Sequence, residues 1–256
     1  MRFHLFEIED FSWYPSFLRE LQTDYLRSLM NIFNVYKAII PRLRHLLEQE
    51  SNSSIIDFCA GGGGSWERIL PHLEDIQLKI TLTDLYPNLR AFRRIKERNP
   101  GVFDYSELPV NAVQPPQELG GLRTFFNSFH HFKREDARSI LENAVRDGEA
   151  IIIFEPMEKT VLQFFLNTIS TLLMAFLITP FIMPFRIDRL IFTYLIPIVP
   201  LVTTFDGWVS LLRLYSPRML LELTSGLDEY EWEAGTARHQ FGKVTFMTGR
   251  AKKKAE

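Results

Sequence analysis

The sequence predicts an α/β fold with a mostly parallel seven-stranded sheet, an antiparallel C-terminal hairpin, N-terminal helices and a large apolar helical insert before the sixth strand. Short apolar runs alternate with helical periodicity between residues 55 and 154, a pattern typical of a parallel sheet with helices on both faces. Four consecutive glycines follow the first of these runs. A long charge-free segment then separates the fifth strand pattern from two C-terminal ones.

Residues 1–50 predict a layer of helices. Apolar residues recur every three or four positions from residue 17 to residue 47, which places one stripe on a helical face. Pro41 lacks an amide donor, so we expect a kink or the start of a second helix there. The polar cluster at residues 51–54 is expected to end this layer.

Residues 51–156 contain the strand and helix patterns of the core. Strands are predicted at 55–58, 79–83, 109–113, 124–127 and 150–154, and helices from about residue 65, at 87–98 and at 135–145. Two further strands, at 229–233 and 243–248, are close enough to pair antiparallel. We therefore assign residues 226–250 to the same core, residues 157–225 to an apolar insert or cap, and residues 251–256 to a frayed tail.

Composition and charge limit the classes of function. With 256 residues, of which 46% are hydrophobic and 23% are charged, the chain is globular and long enough for one large domain. A formal net charge of -2 disfavours nucleic acid as a partner. The single cysteine, Cys59, excludes an internal disulfide framework and fits a reducing compartment. Acidic residues at positions 7, 9 and 10 interrupt any apolar signal region, so we expect a cytoplasmic protein.

A glycine-rich loop follows the first predicted strand, in the stretch IIDFCAGGGGSW. Glycine permits positive φ and lets a ligand approach the backbone closely. Asp84 ends the next strand 21 positions after Gly63, where a carboxylate can reach the two hydroxyls of a ribose. The sequence therefore predicts a nucleoside ligand.

Two nucleotide-binding motifs fit this loop poorly. A phosphate-binding loop of the GxxxxGK[ST] type is excluded because no lysine follows the glycines. The dinucleotide fingerprint GxGxxG would need its last glycine where the chain has Trp66 or Glu67. A nicotinamide cofactor is the weaker alternative, although an acidic ribose contact is common to both kinds of site.

The loop resembles the first motif of the class I S-adenosylmethionine-dependent methyltransferases, in which an acidic residue precedes spaced glycines. Asp57, Gly61 and Gly63 match that motif, and Cys59 replaces its first glycine. The resemblance continues in three further segments, TLTDLYPN, PVNAV and FFNSFHHF. It covers about residues 51–156 and the final hairpin.

This resemblance implies a Rossmann-like fold, S-adenosylmethionine as cofactor, and a methyl transfer that needs neither a metal nor a covalent nucleophile. Asp57 would favour the cationic methionine end of the cofactor, and Asp84 would bind the ribose hydroxyls. A loop-capping role for Asp57 and a turn-forming role for Asp84 are the alternatives. The other implied cofactor contacts are Cys59, Ala60, Gly61, Gly62, Gly63, Leu85, Asn111, Ala112 and Asn127.

Two histidines, His130 and His131, follow the fourth predicted strand at the edge where ligands bind in open α/β sheets. Either could act as general base for a hydroxyl or an acidic carbon of the acceptor. The alternative is that both support the helix that follows. The remaining histidines have no spacing that supports a metal site, so none is expected.

The insert holds no charged residue at 161–185, and a second charge-free run follows at 190–205. The first run is long enough to span a bilayer, for which about 20 apolar residues suffice. A single crossing would leave the fifth and sixth strands on opposite sides, so only a hairpin or an interfacial segment fits the sheet. We favour an apolar cap or a homodimer surface over membrane attachment through 161–205. Either choice predicts a hydrophobic acceptor.

Four further residues are candidates for the substrate pocket. Trp13 and Tyr14 are similar in placement to the helical lids of small-molecule methyltransferases, with core packing as the alternative. Arg213 and Tyr215 belong to an apolar helical pattern, in which a buried arginine needs an anionic partner. We expect that partner to be Asp206 or an acidic group on the acceptor.

These observations predict a methyltransferase that uses S-adenosylmethionine and acts on a small hydrophobic acceptor. One alternative is a nicotinamide-dependent oxidoreductase of the same fold. A second alternative is a non-catalytic, membrane-associated module that binds a nucleoside without turnover.

Overall fold

The central sheet is built from seven strands in the part of the chain that the structure describes. The computed structural model describes residues 2–50, 53–64, 66–240 and 242–252. The strands are β1 (Ser54–Phe58), β2 (Lys79–Leu82), β3 (Phe103–Tyr105), β4 (Leu122–Phe126), β5 (Ile151–Glu155), β6 (Tyr230–His239) and β7 (Gly242–Ala251). Their order is β3-β2-β1-β4-β5-β7-β6. The first five run parallel, and β7 pairs antiparallel with β5 and β6.

The predicted fold class is confirmed, but the third strand was predicted at the wrong place. β3 pairs with β2 through Phe103 and Ile80, whereas residues 109–113 form a loop beyond the strand ends. That run begins with a proline, which lacks an amide donor, and Asn111 Oδ1 accepts the amide of Val113 in a tight turn. Both features favour a loop over a strand.

Helices cover both faces of the sheet. They are α1 (Ser16–Phe33), α2 (Ile40–Gln49), α3 (Trp66–Ile69), α4 (Leu89–Arg98), α5 (Arg134–Asp147), α6 (Val161–Ile178), α7 (Ile187–Leu190), α8 (Ile198–Arg213) and α9 (Pro217–Leu223). The predicted second N-terminal helix is confirmed, because α2 begins one residue before Pro41. The predicted helix start at residue 65, the predicted layer end at 51–52 and the tail at 253–256 lie outside the described residues.

Two apolar layers enclose the sheet, because successive strand residues point to opposite faces. Ile55 and Ile152 pack against α2, α3 and α4 on one face. Their neighbours Ile56 and Ile153 pack against α5 and α9 on the other face. The sheet order reverses between β1 and β4, and such a reversal opens a crevice at the carboxyl ends of the strands.

The insert folds as a helical unit against α1. Helix α6 packs along α8, where Trp208 Nε1 donates to Thr168 Oγ1 at 2.7 Å. Val161–Phe181 is long and apolar enough to cross a membrane, with a mean hydropathy of 2.0 and 17% of its most apolar window buried. A second candidate is a pair of helices, Ile187–Leu195 and Ile198–Arg213, which are together long and apolar enough but are bent by 73° where they meet. Both ends of the insert return to one sheet, because β7 pairs with β5 and β6.

A buried ion pair holds the insert to α1. Arg189 Nη2 donates to Asp24 Oδ2 at 2.6 Å, and both side chains are almost fully buried. Arg189 Nη1 also donates to the carbonyls of Ile182 and Pro184. The arginine therefore closes the loop between α6 and α7 and neutralises a carboxylate that burial would otherwise destabilise.

We expect Arg189→Met to lower the free energy of unfolding by about 3 kcal/mol, because it leaves Asp24 as a buried carboxylate without its closest partner. Chemical denaturation at neutral pH measures the change. Arg218→Met is the matched control, since the Arg218 side chain is 90% exposed and its loss should cost less than about 0.5 kcal/mol. Equal losses in the two variants would contradict the anchoring role of Arg189.

Candidate active site

A cavity of about 480 Å³ opens at the carboxyl ends of the strands, beside the reversal between β1 and β4. Strand-end and loop residues form its floor: Cys59, Ala60, Gly61, Gly62, Gly64, Asp84, Leu85, Asn111, Ala112 and Asn127. The N-terminal segment and α1 form the opposite wall through Glu9, Asp10, Ser16, Arg19, Glu20, Thr23, Leu26, Arg27 and Met30. The structure therefore brings all but two of the predicted cofactor contacts, Asp57 and Gly63, to one cavity wall.

The glycine loop turns through left-handed backbone. Gly61 has φ of 54° and Gly63 has φ of 76°, a region that side chains other than glycine rarely adopt. A Cβ at Gly63 would lie 1.9 Å from Ile95 Cδ1, so this glycine lets the loop pack on α4 behind the cavity wall. Cys59 has φ of 55°, so a cysteine here adopts a left-handed conformation that glycine adopts more readily.

Asp84 joins the second strand end to the glycine loop. Its Oδ2 accepts the Gly61 amide at 2.8 Å, and its Oδ1 accepts the Tyr86 amide at 2.8 Å. Each oxygen keeps a second lone pair for a ligand hydroxyl. Burial raises the pKa of this carboxyl, and the two backbone hydrogen bonds oppose that rise. The turn-forming role and the cavity position are thus combined in one residue.

Asp57 is not among the described residues that line the cavity, and both of its carboxylate oxygens are bonded inside the protein. Its Oδ2 accepts Trp66 Nε1 at 2.8 Å and its Oδ1 accepts Thr124 Oγ1 at 2.7 Å. Burial raises the pKa of Asp57 to about 7, although these two hydrogen bonds act to lower it. The structure supports the alternative, in which Asp57 anchors the end of the glycine loop beneath the cavity.

The two histidines have different environments. His130 is buried away from the cavity, with Nδ1 at 2.9 Å from Glu155 Oε2. His131 lines the cavity, with Nδ1 at 2.8 Å from Asp10 Oδ1. Burial lowers the pKa of His131, but the carboxylates of Glu7, Asp10 and Glu9 outweigh burial and raise it to about 10. His131 is therefore a cationic hydrogen-bond donor at neutral pH.

Arg213 pairs with the N-terminal segment and not with Asp206, the partner expected for it within the chain. Its Nη1 lies 2.7 Å from Asp10 Oδ2 and 3.1 Å from Glu7 Oε1. Asp206 instead accepts the Ile8 amide at 2.7 Å and Gln22 Nε2 at 2.9 Å. The signal that could have suggested this pairing is the acidic run EIED at residues 7–10, because a buried arginine requires an anionic partner.

One group among the described residues has the spacing of a metal site. A ligand atom from each of Glu7, His130 and His131 lies within 4.8 Å of the others. The Arg213 guanidinium occupies the same position, with Nη1 at 3.1 Å from Glu7 Oε1 and 3.4 Å from His131 Nδ1. The arginine supplies the positive charge that these carboxylates require.

The four candidate substrate-pocket residues do not line the cavity. Trp13 is 68% exposed and stacks on Phe11, while Tyr14 donates to Gln22 inside the N-terminal layer. Tyr215 donates to the Phe132 carbonyl at 3.0 Å, and Arg213 is occupied as described above. Residues 157–225 contribute nothing to the described cavity wall, because the insert turns its apolar surface outward. The cap was predicted from residues 1–50 and 157–225 together. Among the described residues, the N-terminal part of that cap lines the cavity, between residues 9 and 36, and the insert does not.

Comparison with known proteins rests on structure, because sequence gives no match. No sequence-family profile matches this chain, and no curated protein is similar in sequence. The plantazolicin methyltransferase BpumL, solved with a pentazolic desmethylPZN analog and SAH, aligns with a TM-score of 0.56 and 11% identity over 93% of this chain and 97% of that chain. The CurJ carbon methyltransferase aligns with a TM-score of 0.54 and 12% identity over 89% of this chain and 58% of that chain.

The chain has the class I methyltransferase fold. The resemblance inferred from the glycine loop is thus confirmed at the level of fold. The similarity extends beyond the sheet, since a second BpumL structure covers 93% of this chain, N-terminal layer and insert included. Within this class I fold, the cavity lies where the glycine loop, Asp84 and the N-terminal layer meet.

Gly63→Ala is expected to destabilise the protein by about 1–3 kcal/mol more than Gly148→Ala. Both glycines have left-handed φ, 76° and 72°, so the backbone cost is shared. Only the Cβ at residue 63 would meet a neighbour, Ile95, whereas residue 148 faces open space. Thermal and chemical denaturation measure the difference. Equal destabilisation would show that close packing on α4 does not constrain the loop.

The raised pKa of His131 predicts a pH dependence of stability. A histidine with a folded pKa of about 10 and an unfolded pKa near the ordinary value of 6.5 contributes stability that is complete below pH 6.5 and is lost as the pH rises toward 10. Between pH 7 and 10 the free energy of unfolding should fall by up to about 1.4 kcal/mol per pH unit from this group. His131→Gln should flatten that slope. The exposed His72→Gln should leave it unchanged, and an unaltered slope in His131→Gln would contradict the assignment.

Proposed function

We propose that this protein transfers a methyl group from S-adenosylmethionine to a small acceptor in the cavity. The observation that carries the proposal is the position of Asp84, whose carboxylate lines the cavity and binds the glycine loop at Gly61. That arrangement offers a ribose site next to open backbone at the strand reversal. The class I fold supports it, and neighbours of that fold were solved with SAH.

The residues present fit such a cofactor. Asp84 would accept the ribose hydroxyls, and Leu85 and Ala112 would flank the adenine. Asn127 Oδ1 is buried at the cavity wall without a hydrogen-bond partner, and a buried acceptor of this kind favours a ligand that brings a donor. The α-ammonium of the cofactor is such a donor. When bound, the cofactor supplies a methyl group made electrophilic by its sulfonium.

The chain's own residues would handle the proton of the acceptor. His131 is protonated at neutral pH and therefore serves as donor, not as the general base considered from the sequence. Glu9 lines the cavity with Oε1 at 3.7 Å from His131 Nε2. Burial raises the pKa of Glu9 to about 8, against the lowering effect of His131. Glu9 therefore titrates close to neutral pH, and its ionised form, which increases as the pH rises toward 8, is a stronger base than an ordinary carboxylate.

The acceptor in this proposal is small and hydrophobic and carries one hydroxyl or amine. The cavity volume of about 480 Å³ is in the range of small-molecule sites, roughly 300–1,000 Å³. Phe126, Phe132 and Met30 offer apolar walls for the body of the acceptor, and Glu9 offers a base for its protic group. The alternatives to this proposal are a nicotinamide-dependent reaction and a binding module without turnover, and the experiments below distinguish them from it.

Asp84→Ala should weaken binding of S-adenosylhomocysteine by at least about tenfold, because charge-assisted hydrogen bonds contribute about 1.5–3 kcal/mol each. Calorimetric titration measures the affinity. Asp104→Ala, an exposed aspartate on β3 outside the cavity, is the matched control and should bind like the original protein. Unchanged affinity in Asp84→Ala would contradict the ribose assignment.

Two measurements on the purified protein distinguish the proposed methyl transfer from its two alternatives. Thermal-shift titration should show stabilisation by S-adenosylmethionine and not by reduced nicotinamide dinucleotides, and stabilisation by the nicotinamide alone would overturn the proposal. Formation of S-adenosylhomocysteine should appear with at least one member of a panel of small phenols, amines and acids. Binding without any product across that panel would favour the module without turnover.

A further inference from the structure

The insert presents a continuous apolar surface to solvent, which we call the apolar face. Every exposed residue between positions 161 and 201 is apolar apart from Tyr194, whose hydroxyl donates to the Phe176 carbonyl. The largest members are Phe181, 79% exposed, and Leu195, 77% exposed. The others are Val161, Leu162, Phe165, Leu166, Ile169, Leu173, Phe176, Leu177, Pro180, Met183, Phe185, Ile187, Ile191, Ile196, Pro197 and Leu201.

The inner side of the same segment packs on the protein. Thr168 Oγ1 accepts Trp208 of α8, and the backbone carbonyl of Thr171 accepts Tyr25 of α1. Apolar residues of α6 also pack on α1. The two arginines of the segment are paired as well, Arg186 with Glu20 and Arg189 with Asp24. The segment therefore buries a side that is both polar and apolar and leaves the apolar face exposed to solvent.

A basic groove borders one end of the apolar face. It has a volume of about 340 Å³ and lies between α1, α3, the end of α4 and the tip of the insert. Arg27, Arg68 and Arg98 line it against one acidic residue, Glu67. Phe181 and Met183 of the apolar face line the same groove. An exposed apolar tip thus lies directly beside an excess of positive charge.

We propose that the apolar face docks on the surface of a lipid bilayer that contains anionic phospholipids, with a headgroup phosphate in the basic groove. Apolar side chains that enter the interface and arginines that attract anionic headgroups are the two contributions to such binding. The insert lies in the plane of the interface and does not cross it, because its inner side is packed on α1 and α8 and both of its ends return to the same sheet.

A second copy of the chain fits this face less well than a bilayer does. Interfaces between proteins carry about one hydrogen bond per 100–200 Å² and a polar rim. The apolar face offers one exposed hydroxyl, that of Tyr194, and it is already bonded within the chain. Hydrocarbon requires no hydrogen-bonding partners, and the charge of the groove complements phosphate.

Vesicle sedimentation tests the proposal with the full chain. The protein should sediment with vesicles of phosphatidylcholine and phosphatidylglycerol, and less with vesicles of phosphatidylcholine alone. Phe181→Asp with Leu195→Asp should lower partitioning onto the mixed vesicles by at least about tenfold, since each side chain would bury its apolar surface on docking. Leu108→Asp, 75% exposed and outside the insert, is the matched control and should partition like the original protein.

Substitutions in the basic groove test the assignment of the phospholipid headgroup separately. Arg68→Glu with Arg98→Glu should remove the preference for the anionic vesicles and keep the weaker binding to phosphatidylcholine, while Arg218→Glu, which is highly exposed, should change neither. Equal binding of the original protein to both vesicle types would overturn the headgroup assignment. Absence of binding to either type, or a stable dimer that the Phe181→Asp and Leu195→Asp changes dissociate, would overturn the bilayer as the occupant. Far-UV circular dichroism and thermal unfolding of each variant provide the check on folding, and neither depends on docking or on the proposed cofactor.

Discussion

The hydrogen bond from the Gly61 amide to Asp84 is the contact on which the site depends. It joins the ends of two neighbouring strands, β1 and β2, through one carboxylate. The loop that it holds is left-handed at Cys59, Gly61 and Gly63, a path that costs free energy unless the surroundings enforce it. Asp57 anchors the same loop from below through Trp66 and Thr124. Asp57 thus holds the loop from beneath the cavity, whereas Asp84 holds the loop and also lines the cavity.

The elements that could be predicted from the sequence are those that local periodicity determines. β1, β4, β5 and α4 lie close to their predicted bounds, because their apolar patterns are also their buried faces. The third strand was misplaced since an edge strand of three residues carries little periodicity, while the loop at 109–113 alternates like a strand. Most residues of the cavity floor could be predicted, because a glycine loop and a strand-end carboxylate have a fixed spacing in this fold.

Contacts between distant segments were not predictable in the same way. Arg213 and Asp206 are close in sequence, yet one helix presents them to different partners in the N-terminal segment. Arg189 likewise finds Asp24 across 165 positions. The direction of the insert was not predictable either: its apolar residues indicated a cap over the substrate or a dimer surface, whereas the insert packs one side on α1 and α8 and leaves its apolar face exposed. Hydrophobicity alone does not determine which side a helix turns to its neighbours.

Arg27 lines both the cavity and the basic groove. Its side chain borders the cavity beside the glycine loop and also the groove beside Phe181, while it donates to Glu67 and to the Met183 carbonyl. Any ligand that redirects this guanidinium on one side changes the electrostatic potential on the other. Wherever a ligand does so, thermodynamic reciprocity requires that occupancy of the groove and occupancy of the cavity alter each other's affinity by the same factor. Among the described residues, Arg27 is the one that lines both the cavity and the groove.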